Sequence, residues 1–471
     1  MKQQLVYGVA ALARPTFDVP FAESMKDRAF AALEAAGIRT VGPRQLLFDR
    51  DAAEQAVTAI AAAGSIDALL ILQVTFTDAT MTVKLARDAS MPLAIWALPE
   101  PRSGGRLRLN AYCGLNLAAH ALGLAGIPHG WLYAMPDAPG IGENLRSLAN
   151  AAIAMPLQAR NVATAEHPRD SSPANRALAA MQGARITVVG QRPDGFDTCD
   201  YDAELLTRLS GIEINTISLG SLFDKARRAD RQRVATVRSA ARNELAGLDT
   251  VDQEQLDRSF RVFCALQDVQ KDNASRGLAV RCWPEMFTEY GCAACGPMAM
   301  MNQQKVPSAC EADVNGAVSQ LLLQELAGEP AWMADLVDIT PADDTAVLWH
   351  CGLAPLSMRD PQSPAQATIH TNRKMPLLHQ FPIKPGAITL LRLSRARNQV
   401  KLMIASAEVI RAPMAFTGCS GTIRFGRSAA DVARTIMEEG LEHHFALAYG
   451  DHKLALRSVA AQWGLPVLEL A

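Results

Sequence analysis

"DALLILQVTF", residues 67–76, is the stretch on which the reading of the fold turns. It is an almost unbroken apolar run. A strand with one face in water alternates apolar and polar residues, whereas a parallel strand covered on both faces does not. The stretches around it repeat the theme. "LVYGVAAL" (5–12), "PLAIWALP" (92–99) and "HGWLYAM" (129–135) read as further strands. Between them, "FAESMKDRAFAALEAAG" (21–37) has helical periodicity and stops at Gly37, and "NLAAHALGLAG" (116–126) is a second helical run. Strand and helix in alternation are the signature of a doubly wound, Rossmann-like α/β unit.

Residues 160–182 are polar, contain two prolines and read as a linker. The rhythm then restarts with strands at 184–191, 212–219 and 277–283 and helical runs at 201–211 and 256–273. From about residue 345 the texture changes. "TAVLWHCG" (345–352), "GAITLLRL" (386–393), "QVKLMIASAEV" (399–409) and "GTIRFG" (421–426) are short strand-like runs separated by turn residues, with one helix at 428–440. The expected architecture is α/β: two doubly wound domains, 1–165 and 166–330, followed by a β-rich C-terminal domain, 331–471.

Composition narrows the function. A net charge of −2 over 471 residues gives no electrostatic footing for nucleic acid. No apolar run reaches the roughly 18 residues that a membrane span needs. The N-terminus lacks the cleavage pattern of a signal peptide, so the expectation is a cytoplasmic protein. Nine cysteines, most in apolar contexts, fit small core residues better than disulfides. Cys292 and Cys295 have C-x-x-C spacing, but no second pair completes a zinc site. No G-x-G-x-x-G follows the first strand, and neither a Walker A motif nor a G-x-S-x-G elbow is present.

What remains is a scatter of acids and histidines. "PSACEADVNG" (307–316) places Glu311 and Asp313 just before a helical run; "AWMADLVDI" (331–339) holds Asp335; "EHHFALAYGDH" (442–452) holds His443, His444, Asp451 and His452. Taken separately, the two acids serve as helix caps, Asp335 caps a turn, and the histidines are a core or surface pair. Taken together, two carboxylates and an imidazole make an oxygen-rich site suited to manganese or magnesium.

The motifs "RCWPE" (281–285), "CEADVNG" (310–316), "MADLVD" (333–338) and "HHFALAYGD" (443–451), with "RPTFD" (14–18) and the segment 108–128, resemble the L-fucose isomerase family, with L-arabinose isomerase more distant. The resemblance runs along most of the chain. It implies an aldose–ketose isomerase acting on an open-chain sugar through a cis-enediol, with Mn2+ as cofactor and Co2+ or Mg2+ as substitutes. It also implies metal ligands Glu311, Asp335 and His444, with Glu311 and Asp335 moving the proton. His443 would sit behind the ligands, or replace His444 if the register shifts by one. Arg14 would bind substrate, delivered across a subunit interface of a trimer or hexamer, with Arg281 and Trp283 near the same pocket.

One departure bears on the substrate. The family's aromatic contacts in the third domain have no counterpart; "ATIHTNRKMPLLHQFPIK" (367–384) stands there, with His370, Arg373 and Lys374. It reads either as a solvated basic loop or as a reader of an anionic group on the sugar, such as a sulfonate, phosphate or carboxylate. The rival functions are a non-catalytic sugar-binding protein and a metal-dependent hydrolase or lyase on the same scaffold.

Overall fold

The computed structural model describes residues 4–89, 91–150, 162–164 and 172–471. The first sheet is built from β1 (Val6–Leu12), β2 (Arg39–Val41), β3 (Ala68–Gln73), β4 (Leu93–Ala97) and β5 (Gly130–Tyr133), in the order β2-β1-β3-β4-β5. All its pairings are parallel. Every residue of β3 is buried, which is why its sequence does not alternate. The helix Val19–Ala35 starts earlier than its apolar period suggests, because Asp18 accepts a hydrogen bond from the Phe21 N–H and Pro20 sits in the first turn.

Part of the stretch read as a linker is regular secondary structure. Residues 160, 161 and 165–171 lie outside the described residues, but β6 (Val162–Thr164) is a strand and Ser172–Met181 is a helix. Pro173 falls in that helix's first turn, where the missing N–H costs nothing, and Ala174, Ala177 and Met181 form its buried stripe. The prolines and polar residues that suggest a linker therefore belong in part to a helix start.

The second sheet comprises β7 (Arg185–Val189), β8 (Glu213–Ile217), β9 (Ser275–Val280) and β10 (Ser308–Ala309), parallel throughout, in the order β10-β9-β7-β8. Two helices, Leu219–Arg227 and Arg231–Glu244, follow β8. The second is too polar to show an apolar stripe in sequence and is started by Asp230, which accepts from the Arg233 N–H.

The remaining strands are β11 (Trp332–Thr340), β12 (Thr345–His350), β13 (Gln366–Thr368), β14 (Leu378–Pro382), β15 (Gly386–Ser394), β16 (Lys401–Ile410), β17 (Cys419–Phe425), β18 (His444–Tyr449) and β19 (Pro466–Glu469). With β6 they form a mixed ten-stranded sheet ordered β13-β14-β17-β12-β11-β18-β15-β16-β19-β6. A second edge of β17 pairs with β16, which closes β17, β12, β11, β18, β15 and β16 into a ring. Closure removes free edges from these six strands. The chain is thus mixed α/β, with two parallel sheets and a β-rich mixed sheet. Among the described residues no helix is long and apolar enough to cross a membrane.

Candidate active site

The site lies beyond the carboxyl ends of the parallel strands, the usual place for a ligand in open α/β sheets. Arg14 follows β1, Phe76 follows β3, Cys282 and Trp283 follow β9, and Glu311 follows β10. All of these line one pocket, together with Asp335, His350, His370, Asn372, Arg373 and His443.

Glu311 reaches the pocket from an unusual backbone. It and Ala312 both have positive φ, 58° and 53°. Such a conformation costs an L-residue roughly 1–2 kcal/mol, and cost of this kind concentrates where a side chain must be aimed. The next residue, Asp313, caps the helix Val314–Ala327 by accepting from the Gly316 N–H at 2.8 Å. Capping by Asp313 leaves Glu311 free of that duty.

Asp335 and His444 are brought together by register: they are opposite one another in the antiparallel pair β11–β18. His444 Nε2 lies 3.3 Å from Asp335 Oδ1 and 3.6 Å from Glu311 Oε2. Its other nitrogen, Nδ1, is 2.9 Å from Asp313 Oδ2. Asp313 is paired in turn with Arg392, and both are fully buried. Asp313 therefore fixes the imidazole so that Nε2 points at the two carboxylates. His443 Nε2 is 3.1 Å from Glu311 Oε2, on the pocket side, and Trp283 Nε1 donates to Glu311 Oε1 at 3.2 Å.

Electrostatics agree with geometry. Burial pushes the Glu311 carboxyl up, but the His443 hydrogen bond and the His443 and His444 charges outweigh it and bring it to about 2. Asp313 is also lowered, with burial opposed by Arg392 and His444. Burial pulls His444 down, yet the bond to Asp313 and the charges of Asp335, Glu311 and Asp313 leave it raised. Asp335 Oδ1 is buried and, beyond its 3.3 Å approach to His444 Nε2, makes no hydrogen bond among the described residues. Two carboxylates converging on one oriented imidazole nitrogen are a donor set that could hold a hard divalent cation; Glu311, His443 and His444 form another such set, with ligand atoms within 4.8 Å of one another.

The other residues singled out in the sequence divide. Trp283, Arg14, His370 and Arg373 line the pocket. Arg14 does so from its own chain, with its guanidinium carbon 5.1 Å from the Trp283 ring centre and an ion pair to Asp78 at 2.7 Å. Arg281 and Lys374 are not among the lining residues. Arg281 is held by Glu285 through two 2.7 Å hydrogen bonds, and it donates to the Gln191 and Arg192 carbonyls. Lys374 is exposed and has φ 61°. Cys295 lines the pocket, while Cys292 is buried behind it, its thiol pushed up to about 12 by burial.

Sequence reasoning missed His350, Asn372 and Arg392. His350 ends the apolar run of β12 and faces Cys310, 2.9 Å from Nε2 to Sγ. Arg392 did carry a signal: a lone arginine in the apolar strand "GAITLLRL" is seldom buried without a paired acid.

Residues 8–155 match the family described as "Fucose/sulfoquinovose isomerase, N-terminal domain", and residues 348–471 match "L-fucose isomerase, C-terminal domain". Proteins named sulfoquinovose isomerase are similar along nearly the whole chain. That of Alkalicoccus urumqiensis is 27% identical over 460 residues, covering 98% of each chain. Those of Priestia aryabhattai and Clostridium sp. (strain MSTE9) are each 28% identical and cover 93% and 95% of each chain. The chain belongs to the L-fucose isomerase family of sugar isomerases.

Proposed function

We propose that this isomerase interconverts the aldose and ketose forms of a sulfonated hexose, with Mn2+ as its preferred cofactor and Co2+ or Mg2+ as substitutes. The observation that carries the reading is the convergence of Glu311 and Asp335 on His444 Nε2. These three residues would hold the ion, which when bound supplies Lewis-acid polarisation of the sugar's adjacent carbonyl and hydroxyl oxygens. The chain's own groups do the rest. Glu311 and Asp335 are the two carboxylates placed to take a proton from one of C1 and C2 and return it to the other through a cis-enediol. Glu311 is ionised at neutral pH and so is ready to accept. Asp313 and Arg392 hold His444 in place. Trp283 covers the carboxylate and donates to it, and with Phe76 and Trp349 it supplies apolar wall that excludes water.

The sulfonate is supported by the names of the relatives and by the cationic end of the pocket, where Arg14 and Arg373 stand. Assembly as a trimer or hexamer in the cytoplasm, with the pocket at a subunit interface, belongs to the same reading and is tested by sedimentation. The mechanism is tested by incubating metal-stripped protein in deuterated water with sulfonated and neutral aldoses, with and without Mn2+. Ketose carrying deuterium at C1, and recovered aldose carrying it at C2, both dependent on Mn2+ and Glu311, are the expected result. Ketose formed without any solvent deuterium would point to hydride transfer and sink the enediol.

A further inference from the structure

The pocket has two ends. At one are the carboxylates and histidines; at the other, two arginines share Trp283. The guanidinium carbon of Arg14 is 5.1 Å from the Trp283 ring centre, and that of Arg373 is 5.9 Å from it and 5.8 Å from the Phe287 ring. The indole itself donates to Glu311. A single side chain therefore links the reacting end to the cationic end, and an open-chain hexose with its carbonyl at Glu311 would extend along it toward the arginines.

The two arginines are not equivalent. Arg14 is neutralised by Asp78 at 2.7 Å. Arg373 has no carboxylate partner and no side-chain hydrogen bond among the described residues, although it is half-buried in the pocket wall. Its surroundings make this worse. Burial, then the Arg14 charge, lower its proton affinity. Nearby His370 is driven down to about 3 by burial and then by Arg373. A half-buried guanidinium beside another cation, with no acid to answer it, is destabilising unless something supplies the missing charge. The neighbouring loop is braced rather than loose: Arg106 donates twice to Asn372 Oδ1, at 2.9 and 3.2 Å, and the Asn372 and Arg373 N–H groups each lie 3.2 Å from His370 Nδ1.

We propose that Arg373 reads the charged end of the substrate, with a sulfonate on the terminal carbon completing its ion pair beside Arg14, and that it sets the preference for an anionic over a neutral sugar. This rests on the reading of the site as that of a sulfonated-sugar isomerase. Charge counting favours a monoanion. Arg14 and Asp78 cancel, Arg373 leaves one positive charge, and a sulfonate carries one negative charge at neutral pH, whereas a phosphate monoester carries nearly two. A planar guanidinium also offers two parallel N–H groups to adjacent sulfonate oxygens, which an ammonium cannot do. Arg281 is excluded because Glu285 already occupies its fork, and Lys374 because it stands outside the pocket.

The test compares wild type, Arg373→Gln, Arg373→Lys and the control Lys374→Gln. Each is assayed on a 6-sulfonated hexose and on the matching 6-deoxy sugar, with inorganic sulfate as a competitor and Mn2+ affinity measured separately. In Arg373→Gln the ratio of kcat/KM for sulfonated over neutral sugar is expected to fall about 10- to 100-fold, the range for a hydrogen bond to a charged group. Sulfate competition should be lost, Mn2+ affinity kept, and Tm without anion unchanged or raised, since an unanswered charge has been removed. Arg373→Lys should recover part of the ratio, and Lys374→Gln should match wild type. An equal loss on both sugars with a lower Tm would make Arg373 a scaffold residue and overturn the proposal, as would an unchanged ratio. If sulfate competes through Arg373 but no sulfonated sugar is isomerised, the anion site stands and the substrate reading falls.

Discussion

Asp335 and His444 are register partners on neighbouring antiparallel strands, and the Asp335 Oδ1 to His444 Nε2 distance is 3.3 Å. Two proposed ligands separated by more than a hundred residues in sequence are thus placed by strand pairing, the most rigid device the fold has. His443, one residue earlier, reaches Glu311 but not Asp335. The two histidines should therefore separate in experiment. His444→Gln is expected to weaken Mn2+ binding by at least about 100-fold, because losing a ligand should cost no less than losing one of its supporting partners, about 10- to 100-fold. His443→Gln should bind Mn2+ within a few-fold of wild type and lose activity. Titration of free Mn2+ by electron paramagnetic resonance reads both; the reverse ranking would make His443 the ligand.

Asp313 does two things at once. One oxygen caps the helix Val314–Ala327, and the other bonds Arg392 and His444. Asp313→Asn keeps an acceptor for the cap but gives up the charge that orients and polarises the imidazole. Mn2+ affinity is expected to drop about 10- to 100-fold with the fold intact. Asp313→Ala also leaves Arg392 charged, buried and unpaired, which costs about 3–5 kcal/mol. Its Tm should fall well below that of Asp313→Asn in the same buffer. Equal Tm values would mean that Arg392 finds another partner.

These two residues show where sequence reading stops. Glu311 and Asp313 are two apart, and both suit a helix start. Composition and spacing leave each as cap or ligand, and the motif resemblance, not the pattern, singled out Glu311. The structure divides the labour through a left-handed turn at Glu311 and Ala312, which no apolar periodicity announces. The buried strands were legible because burial on both faces leaves a continuous apolar run, as in 67–76. The closing of the β-rich sheet into a ring was not, because it depends on β16 pairing with β17 across several turns. Arg281 is taken by Glu285, four residues on, across the non-helical turn at 282–284, a pairing that no helical period announces.

The carboxylates should also make metal a stabiliser. Glu311 and Asp335 both approach His444 Nε2, with no lysine or arginine paired to either among the described residues. Chelator-treated protein is expected to have a lower Tm, and Mn2+ at 100 times its Kd should add about 2.7 kcal/mol by mass action. The gain should be absent in Glu311→Gln. Calorimetric scans of the two proteins with and without Mn2+ check this, and an equal gain in both would place the ion elsewhere.

Stability in acid has a separate source. His129 is buried, at 1% exposure, with Nδ1 donating to the Ile127 carbonyl at 3.2 Å and Nε2 without a hydrogen-bond partner among the described residues. Burial outweighs that bond and depresses its pKa to about 4, against about 6.5 in the unfolded chain. Between those values the unfolded state holds a proton that the folded state does not. Stability is therefore full above pH ~6.5 and falls as pH drops, by at most about 1.4 kcal/mol per unit for this one group, levelling off below its folded pKa. Buried His379, also depressed to about 4, adds a slope of the same sign over the same window. The Glu311 carboxylate, held near 2, loses its contribution only at lower pH. Urea unfolding of wild type and His129→Phe at several pH values between 4 and 7 should show the variant's slope reduced by one proton's worth. A slope unchanged by the substitution would mean that His129 titrates alike in both states and that its burial has no cost in acid.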